Sequence, residues 1–357
     1  MKLLIITQKV DINDPILGFF HRWIEEFAKH CEKLTVICLE KGSFNLPKNV
    51  KVLSLGKESY SQYSHAIRKF VSLYRFYKYL WQERKNYDAV FVHMNPIYVI
   101  LGGFFWRLWG KRIALWYTHK QVDIKLRIAE KLSHIIFTAS LESFRLSSNK
   151  IKIVGHGIPI KKSARPPLYK GERDDHTLLC VGRLTPIKDQ ETVIRACGVL
   201  LRRGVFITCI FIGDVATSGD KLYSESLSRL ASSEGVKENL FFKGNLVQEK
   251  IFPYYWQSGI HINACPTGGL DKVVIEAMAG GVIPIVANES FCDIFGEYAD
   301  RLIFRHGDAS SLAKCIKNIL ESDDKEIIRA TLEEKVSQLF DLSILVKNII
   351  NWYEASR

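Results

Sequence analysis

The sequence predicts an α/β protein made of two doubly wound domains. Strand-like apolar runs alternate with helical patterns, the alternation occurs twice, and a charged, proline-bearing stretch separates the two series. At 357 residues the chain also exceeds the size at which a single hydrophobic core stops growing. A composition of 47% hydrophobic and 25% charged residues is that of a globular protein and excludes a disordered chain.

The first series opens with KLLIIT, whose apolar part from Leu3 to Thr7 is too short for a signal peptide and reads as a buried strand. The helix FFHRWIEEFAKH and the strand LTVICL follow. In YSQYSHAIRKFVSLYRFYKYLWQERKNYD, the residues Ile67, Phe70, Val71, Tyr74, Tyr77 and Trp81 keep helical three-and-four spacing, interleaved with Arg68, Lys69, Arg75, Lys78, Arg84 and Lys85. This predicts an amphipathic helix whose apolar stripe packs inward and whose exterior is basic. Between Asp88 and Arg107 no residue is charged, but His93, Asn95 and Pro96 interrupt the stretch. About ten apolar residues remain after the proline, too few to cross a bilayer, so a buried strand followed by a helix is expected.

Residues 160 to 175, IKKSARPPLYKGERDD, carry a Pro-Pro pair and no apolar period, which marks a linker with the domain boundary near Arg165. The second series then runs TLLCVGR, DQETVIRACGVLLRRG and FITCIFIG, and later GIHINAC, a PTGG loop and a helix from Asp271. The closing FDLSILVKNIINWYEASR has apolar residues at helical spacing. Residues 1 to 165 hold 28 Lys and Arg against 12 Asp and Glu, net +16, whereas the rest of the chain is net −4. Basic character with aromatics suits an anionic membrane surface, and Phe104, Phe105, Trp106 and Trp109 beside Arg107, Lys111 and Arg112 add to it. No nucleic-acid motif accompanies the charge, so nucleic acid is not an expected partner. The eight cysteines form no CxxC pair and sit mostly in apolar runs, which predicts reduced thiols, a cytoplasmic setting and no structural zinc.

Gly182, Arg183 and Lys188 fall between a strand and a helix, where open α/β sheets bind ligands and where free helix amides favour an anion such as a diphosphate. The alternative is that the two cations merely neutralise Asp189 and Glu191. Asp271 is a plausible N-cap of the later helix. Glu276 lies just over one turn in and leans toward the helix start, where its carboxylate can accept from a ribose diol while Lys272 and the helix amides suit phosphate. Gly280 and Gly281 read as the helix C-cap.

VGRLTPIKDQETVIRA together with GGLDKVVIEAMAGGVIPIV resembles the donor-binding half of GT-B glycosyltransferases of the retaining family-four (group 1) type. The likeness extends over most of the chain, through the loop at Gly18, the segment around His119, VGHGI around Gly157 and FIGD at Gly213. It implies a GT-B architecture: two Rossmann-like domains, 1–165 for the acceptor and 166–340 for the donor, facing an interdomain cleft, with a terminal helix 341–357 packing back on the first. It implies that Arg183 and Lys188 hold the diphosphate of a nucleotide sugar, Glu276 the ribose, and Gly244 and Asn245 the base through main-chain atoms. Gly18, Gly182, Gly213, Gly269, Leu270, Asp271, Lys272 and Val273 complete the donor site, and His119 lies near the transferred sugar, with His93 a weaker alternative. The family's usual earlier Glu is Gly268 here; Asp271 either takes over its contact with the sugar or serves only as a helix cap.

The resemblance further implies transfer of a hexose with retention at the anomeric carbon, to a glycan or lipid-linked acceptor in polysaccharide or glycolipid synthesis. No carboxylates are spaced for a divalent metal, and none is an obvious nucleophile for a double displacement. Metal-independent front-face substitution, with no cofactor besides the donor, is the expectation. The competing readings are a nucleotide-sugar epimerase of the same fold and a non-catalytic nucleotide-sugar binder. An NAD-dependent enzyme is argued against by the absence of GxGxxG after either domain's first strand. The expected location is the cytoplasm, with peripheral attachment to the cytoplasmic face of the membrane.

Overall fold

The computed structural model describes residues 1–59, 64–160, 164, 166, 171–215, 218–266 and 269–355, without the side chains of residues 65 and 218. Arg165 and Gly268, used above, lie outside the described residues. Two compact units emerge: Met1–Gly157 with Leu342–Arg357, and Ile158–Asp341. The division falls at Gly157/Ile158 rather than near Arg165, because Ile158 is already in the second unit's core and its amide donates to Phe340 O at 2.9 Å.

The first unit runs β1 (Lys2–Val10), α1 (Phe19–His30), β2 (Lys33–Lys41), β3 (Val50–Ser54), α2 (His65–Glu83), β4 (Ala89–His93), α3 (Pro96–Leu108), β5 (Arg112–Trp116), α4 (Ile124–Leu132), β6 (Ile135–Thr138) and β7 (Ile151–Ile153). The second contains β8 (Asp174–Val181), α5 (Gln190–Arg202), β9 (Thr208–Ile212), α6 (Ser218–Ser233), β10 (Leu240–Phe242), α7 (Gln248–Gln257), β11 (Ser258–Asn263), α8 (Lys272–Ala279), β12 (Ile283–Val286), α9 (Ala309–Leu320) and α10 (Lys325–Phe340). The last helix, α11 (Leu342–Ala355), returns to the first unit.

Both sheets are parallel, in the orders β3-β2-β1-β4-β5-β6-β7 and β10-β9-β8-β11-β12. Each is doubly wound, reversing direction beside its first strand, at β1/β4 and at β8/β11. Leu3 to Ile6 are buried on both faces of β1, which is why the run is continuously apolar rather than alternating. Pro96 opens α3 at a first-turn position behind Asn95, whose Oδ1 accepts from the Ile97 amide at 3.2 Å, so the break in the uncharged stretch is a strand-to-helix turn. No helix among the described residues is long and apolar enough to cross a membrane.

The basic helix differs from expectation. Most of its stripe does not pack: Phe70 is 72% exposed, Tyr74 62%, Trp81 58% and Ile67 48%, while Val71 and Tyr77 are half-buried and the Tyr77 hydroxyl donates to Leu101 O at 3.3 Å. Phe76 and Leu80 are buried instead, with Glu83 paired to Lys51 at 2.6 Å. The helix is aromatic nearly all round, and Phe76 wins the inward position by stacking near Tyr98 and Trp106, 5.6 Å and 6.4 Å between ring centres. α11 packs on α1 through Leu345, Val346, Ile349 and Ile350, and its Tyr353 hydroxyl donates to Val90 O at 2.6 Å.

Candidate functional site

In the second unit the strand order reverses between β8 and β11, and open α/β sheets take ligands outside the carboxyl ends of such a strand pair. Lys188 closes a single 3-10 turn, Pro186–Lys188, after β8. Asp189 follows in the left-handed conformation (φ 48°, ψ 48°) and caps α5, accepting from the Thr192 amide at 3.3 Å and the Thr192 hydroxyl at 2.7 Å. The turn sends Lys188 toward the end of β11, where its Nζ stands 2.8 Å from Asp271 Oδ2. Asn263, the last residue of β11, donates to the same oxygen at 2.8 Å.

Arg183 is exposed and its guanidinium has no partner among the described residues, while its carbonyl is fixed by Gln190 Nε2 at 2.9 Å. The two cations therefore do not neutralise the start of α5. Asp189 meets His306 Nε2 at 3.2 Å instead. Asp271 stands at the N-cap position of α8, but its side chain caps nothing; it is engaged by Lys188 and Asn263, which corrects the helix-cap reading.

Glu276 is 4% exposed, and a buried carboxylate requires partners. Gln248 Nε2 donates to its Oε1, and Lys272 Nζ lies 3.0 Å from the same atom. Lys272, expected at a phosphate, is held on Glu276 because residues four apart share a helix face. α8 begins at Lys272, and the Val274 amide bonds Asp271 O at 3.0 Å. Gly269 O accepts from Asn288 Nδ2 at 3.1 Å, which pins the chain leading through Leu270 to Asp271. Gly280 ends the helix, its amide reaching Glu276 O and Ala277 O at 3.0 Å, and Gly281 follows with φ 70°.

The glycines gather at the same edge. Gly213, after β9, has φ 136°, and a Cβ there would lie 2.0 Å from Gly182 O. Its amide donates to Gly244 O at 2.9 Å, so the loops after β8, β9 and β10 touch through main chain, with Asn245 next in line. No side chain fits at Gly213, which lets the strand ends close around Arg183 and Lys188.

Three expected residues belong to the first unit. His119, after β5, is exposed; its Nδ1 accepts from the Gln121 amide at 3.1 Å, which leaves Nε2 as the protonated, outward nitrogen. His93 is buried, bonded through Nδ1 to Thr7 Oγ1 at 3.1 Å and stacked 3.8 Å from the Phe20 ring, and burial pushes its pKa down to about 3. That makes His93 a neutral core residue. Gly18 precedes α1 with φ −57°; a Cβ would meet Asp14 O at 2.4 Å, so the glycine is required by its own loop.

Comparison with known proteins fits this geometry. Residues 169–335 match the family of glycosyl transferases group 1. The matched stretch falls within the second unit, Ile158–Asp341. The GDP-mannose-dependent alpha-(1-6)-phosphatidylinositol monomannoside mannosyltransferase of Mycolicibacterium smegmatis is 33% identical over 129 residues, 34% of this chain and 31% of that one. The human GDP-Man:Man(3)GlcNAc(2)-PP-Dol alpha-1,2-mannosyltransferase is 26% identical over 181 residues, 46% of this chain and 36% of that one. The chain thus spans about a third of the length of these curated relatives. Anabaena HepE, solved in complex with UDP, superposes with a TM-score of 0.77 at 17% identity, covering 99% of this chain and 100% of that one. Sucrose-phosphate synthase of Thermosynechococcus elongatus gives 0.77 at 14% identity over 99% of both chains. At such identities the structural likeness is one of fold, and the fold is GT-B.

Within the second unit, sequence reasoning missed Gln248, Asn263 and Asn288. Asn263 carried a signal, a polar residue closing the apolar run GIHIN. Gln248 carried none, because its partner is 28 residues away on another helix.

Proposed function

We propose that the protein is a retaining, metal-independent hexosyltransferase that moves a sugar from a nucleotide-diphosphate donor to a glycan or lipid-linked acceptor. The observation that carries this reading is the placing of Arg183 and Lys188 at the β8/β11 switch point, with Lys188 on Asp271 at the start of α8 and buried Glu276 one turn behind. Lys188 and Arg183 bind the diphosphate, and Glu276 accepts from the ribose hydroxyls. As the bond from the anomeric carbon to the diphosphate oxygen breaks, negative charge grows on the leaving nucleoside diphosphate, and these fixed positive groups stabilise it without reorganising. The acceptor hydroxyl adds on the same face and passes its proton to the departing phosphate oxygen. Asp271, held by Lys188 and Asn263, accepts from a sugar hydroxyl. His119 supplies an Nε2–H donor to the sugar.

The mannosyl relatives use GDP-mannose and act on a phosphatidylinositol mannoside or a dolichol-diphosphate glycan, by their names, which supports a nucleotide sugar and a lipid-linked acceptor. The net +16 of residues 1 to 165 and the exposed Ile67, Phe70, Tyr74 and Trp81 of α2 support attachment to an anionic membrane surface. A panel of nucleoside diphosphates and their sugars, read by thermal shift, tests the site. At least one is expected to raise the unfolding midpoint of the wild type and to have a much weaker effect on Arg183→Ala. Indifference of the wild type to every member would overturn the assignment. Incubation with donor alone separates transfer from epimerisation.

A further inference from the structure

The first unit contains a cavity of about 600 Å³ built by the ends of β2 and β3 together with α2, α3 and the first turn of α4. Leu55, Leu73, Phe76, Tyr98 and Leu101 give it apolar walls, and its size is that of a small-molecule site. Its charged lining is of one sign: Lys57, Arg68, Lys69 and Lys125, without a carboxylate. Lys57 is occupied by Glu40 at 2.8 Å. Among the described residues Lys69 and Lys125 meet no acidic group, and Arg68 Nε is buried without an acceptor. A buried donor on a cation is unfavourable until an acceptor reaches it, and an anion beside Arg68 would supply one. The walls of the same cavity call for hydrocarbon. The helices that flank it leave Phe70, Tyr74, Phe104 and Leu108 exposed, so an occupant that is apolar at one end and anionic at the other meets matching surfaces inside and out.

We propose that this cavity receives one acyl chain of an anionic membrane lipid, with the lipid phosphate held by Arg68, Lys69 and Lys125. The proposal rests on the membrane attachment proposed above and adds a discrete lipid site to it. Charge complementarity selects the headgroup and the apolar walls select the chain, so neither free phosphate nor a neutral detergent satisfies both.

The test is calorimetry of the full chain with dodecyl phosphate below its micelle concentration, against inorganic phosphate and dodecyl maltoside. Saturable one-to-one binding of dodecyl phosphate is expected, at least tenfold tighter than either control. Ser72, which lines the cavity, is replaced by Trp to fill it, and exposed Lys69 is replaced by Glu to reverse the rim charge. Each variant should weaken dodecyl phosphate at least tenfold while nucleotide binding stays unchanged. Binding that does not saturate, that dodecyl maltoside matches, or that survives Lys69→Glu overturns the site. Flotation with anionic vesicles reports separately on the membrane reading: vesicle binding by the wild type without dodecyl phosphate binding overturns the lipid site alone. Dodecyl phosphate binding without vesicle binding supports the site and overturns the bilayer reading alone.

Discussion

Lys188 meets one anion in this structure and, in the function proposed above, a second. In this structure its ammonium is on Asp271, and a donor diphosphate would share or take it, so Lys188→Ala would remove the transition-state contact proposed for it while leaving Asp271 with its bond from Asn263. Transfer is expected to fall about a hundredfold or more, the usual loss for one preorganised charge-stabilising group; steady-state rates measure it, and a variant as fast as the wild type would exclude Lys188 from the reaction. Nothing in the sequence pairs positions 188 and 271, because 83 residues and a strand crossing separate them, whereas the types Arg, Lys and Glu at strand-to-helix turns were legible. His261 is a different kind of residue. It is fully buried in β11, neither ring nitrogen has a hydrogen-bond partner among the described residues, and burial pushes its pKa down to about 3. Since the unfolded chain binds the proton near pH 6.5 and the folded chain only near 3, protonation favours unfolding and stability falls as pH drops through that window. His261→Leu should therefore raise stability by about 1 kcal/mol near neutral pH, and should flatten part of the acid side of a pH–stability curve. His93 contributes the same dependence and remains in the variant.

At the scale of the element, α2 shows where periodicity runs out. Three-and-four spacing identified a helix, and a helix is there, but two apolar stripes obey the same spacing: Ile67, Phe70, Tyr74 and Trp81 on one side, Phe76 and Leu80 on the other. Which one packs depends on the rings of α3 beside it, and a one-dimensional pattern does not hold that information. Because Phe70 is 72% exposed, Phe70→Glu should leave the unfolding free energy within about 0.5 kcal/mol of wild type. The same change should cut flotation with anionic vesicles sharply. Unchanged flotation would show that this face does not meet the bilayer. The short strands β3, β7 and β10 were equally unreadable, being three to five residues long with mixed exposure, while β1, β4 and β11, buried almost throughout, stood out as apolar runs.

Across the whole molecule, the doubled βα alternation was enough to read two parallel α/β units, since only a parallel sheet buries successive strands behind crossover helices. The boundary was harder to place, because a proline-rich, charged stretch signals a linker while the exchange of cores happens a few residues earlier, at Ile158. α11 ties the end of the described chain to its beginning: Leu345, Val346, Ile349, Ile350 and Tyr353 belong to the same core as Trp23 and Phe27. A chain ending at Asp341 should accordingly lose stability in its first unit by several kcal/mol, given about 1.5–3 kcal/mol for each large apolar side chain buried. The second unit, contiguous from Ile158 to Asp341, should keep its own unfolding transition in calorimetry. The threading has a further outcome during synthesis. On the ribosome the amino-terminal lobe must wait, unfinished, while the entire second lobe emerges and folds, and it gains its last supporting helix only after residue 355 has been translated and cleared the exit tunnel. The lobe made first is completed last, and until then the α1 face that Leu345, Val346, Ile349 and Ile350 will cover stands open to water.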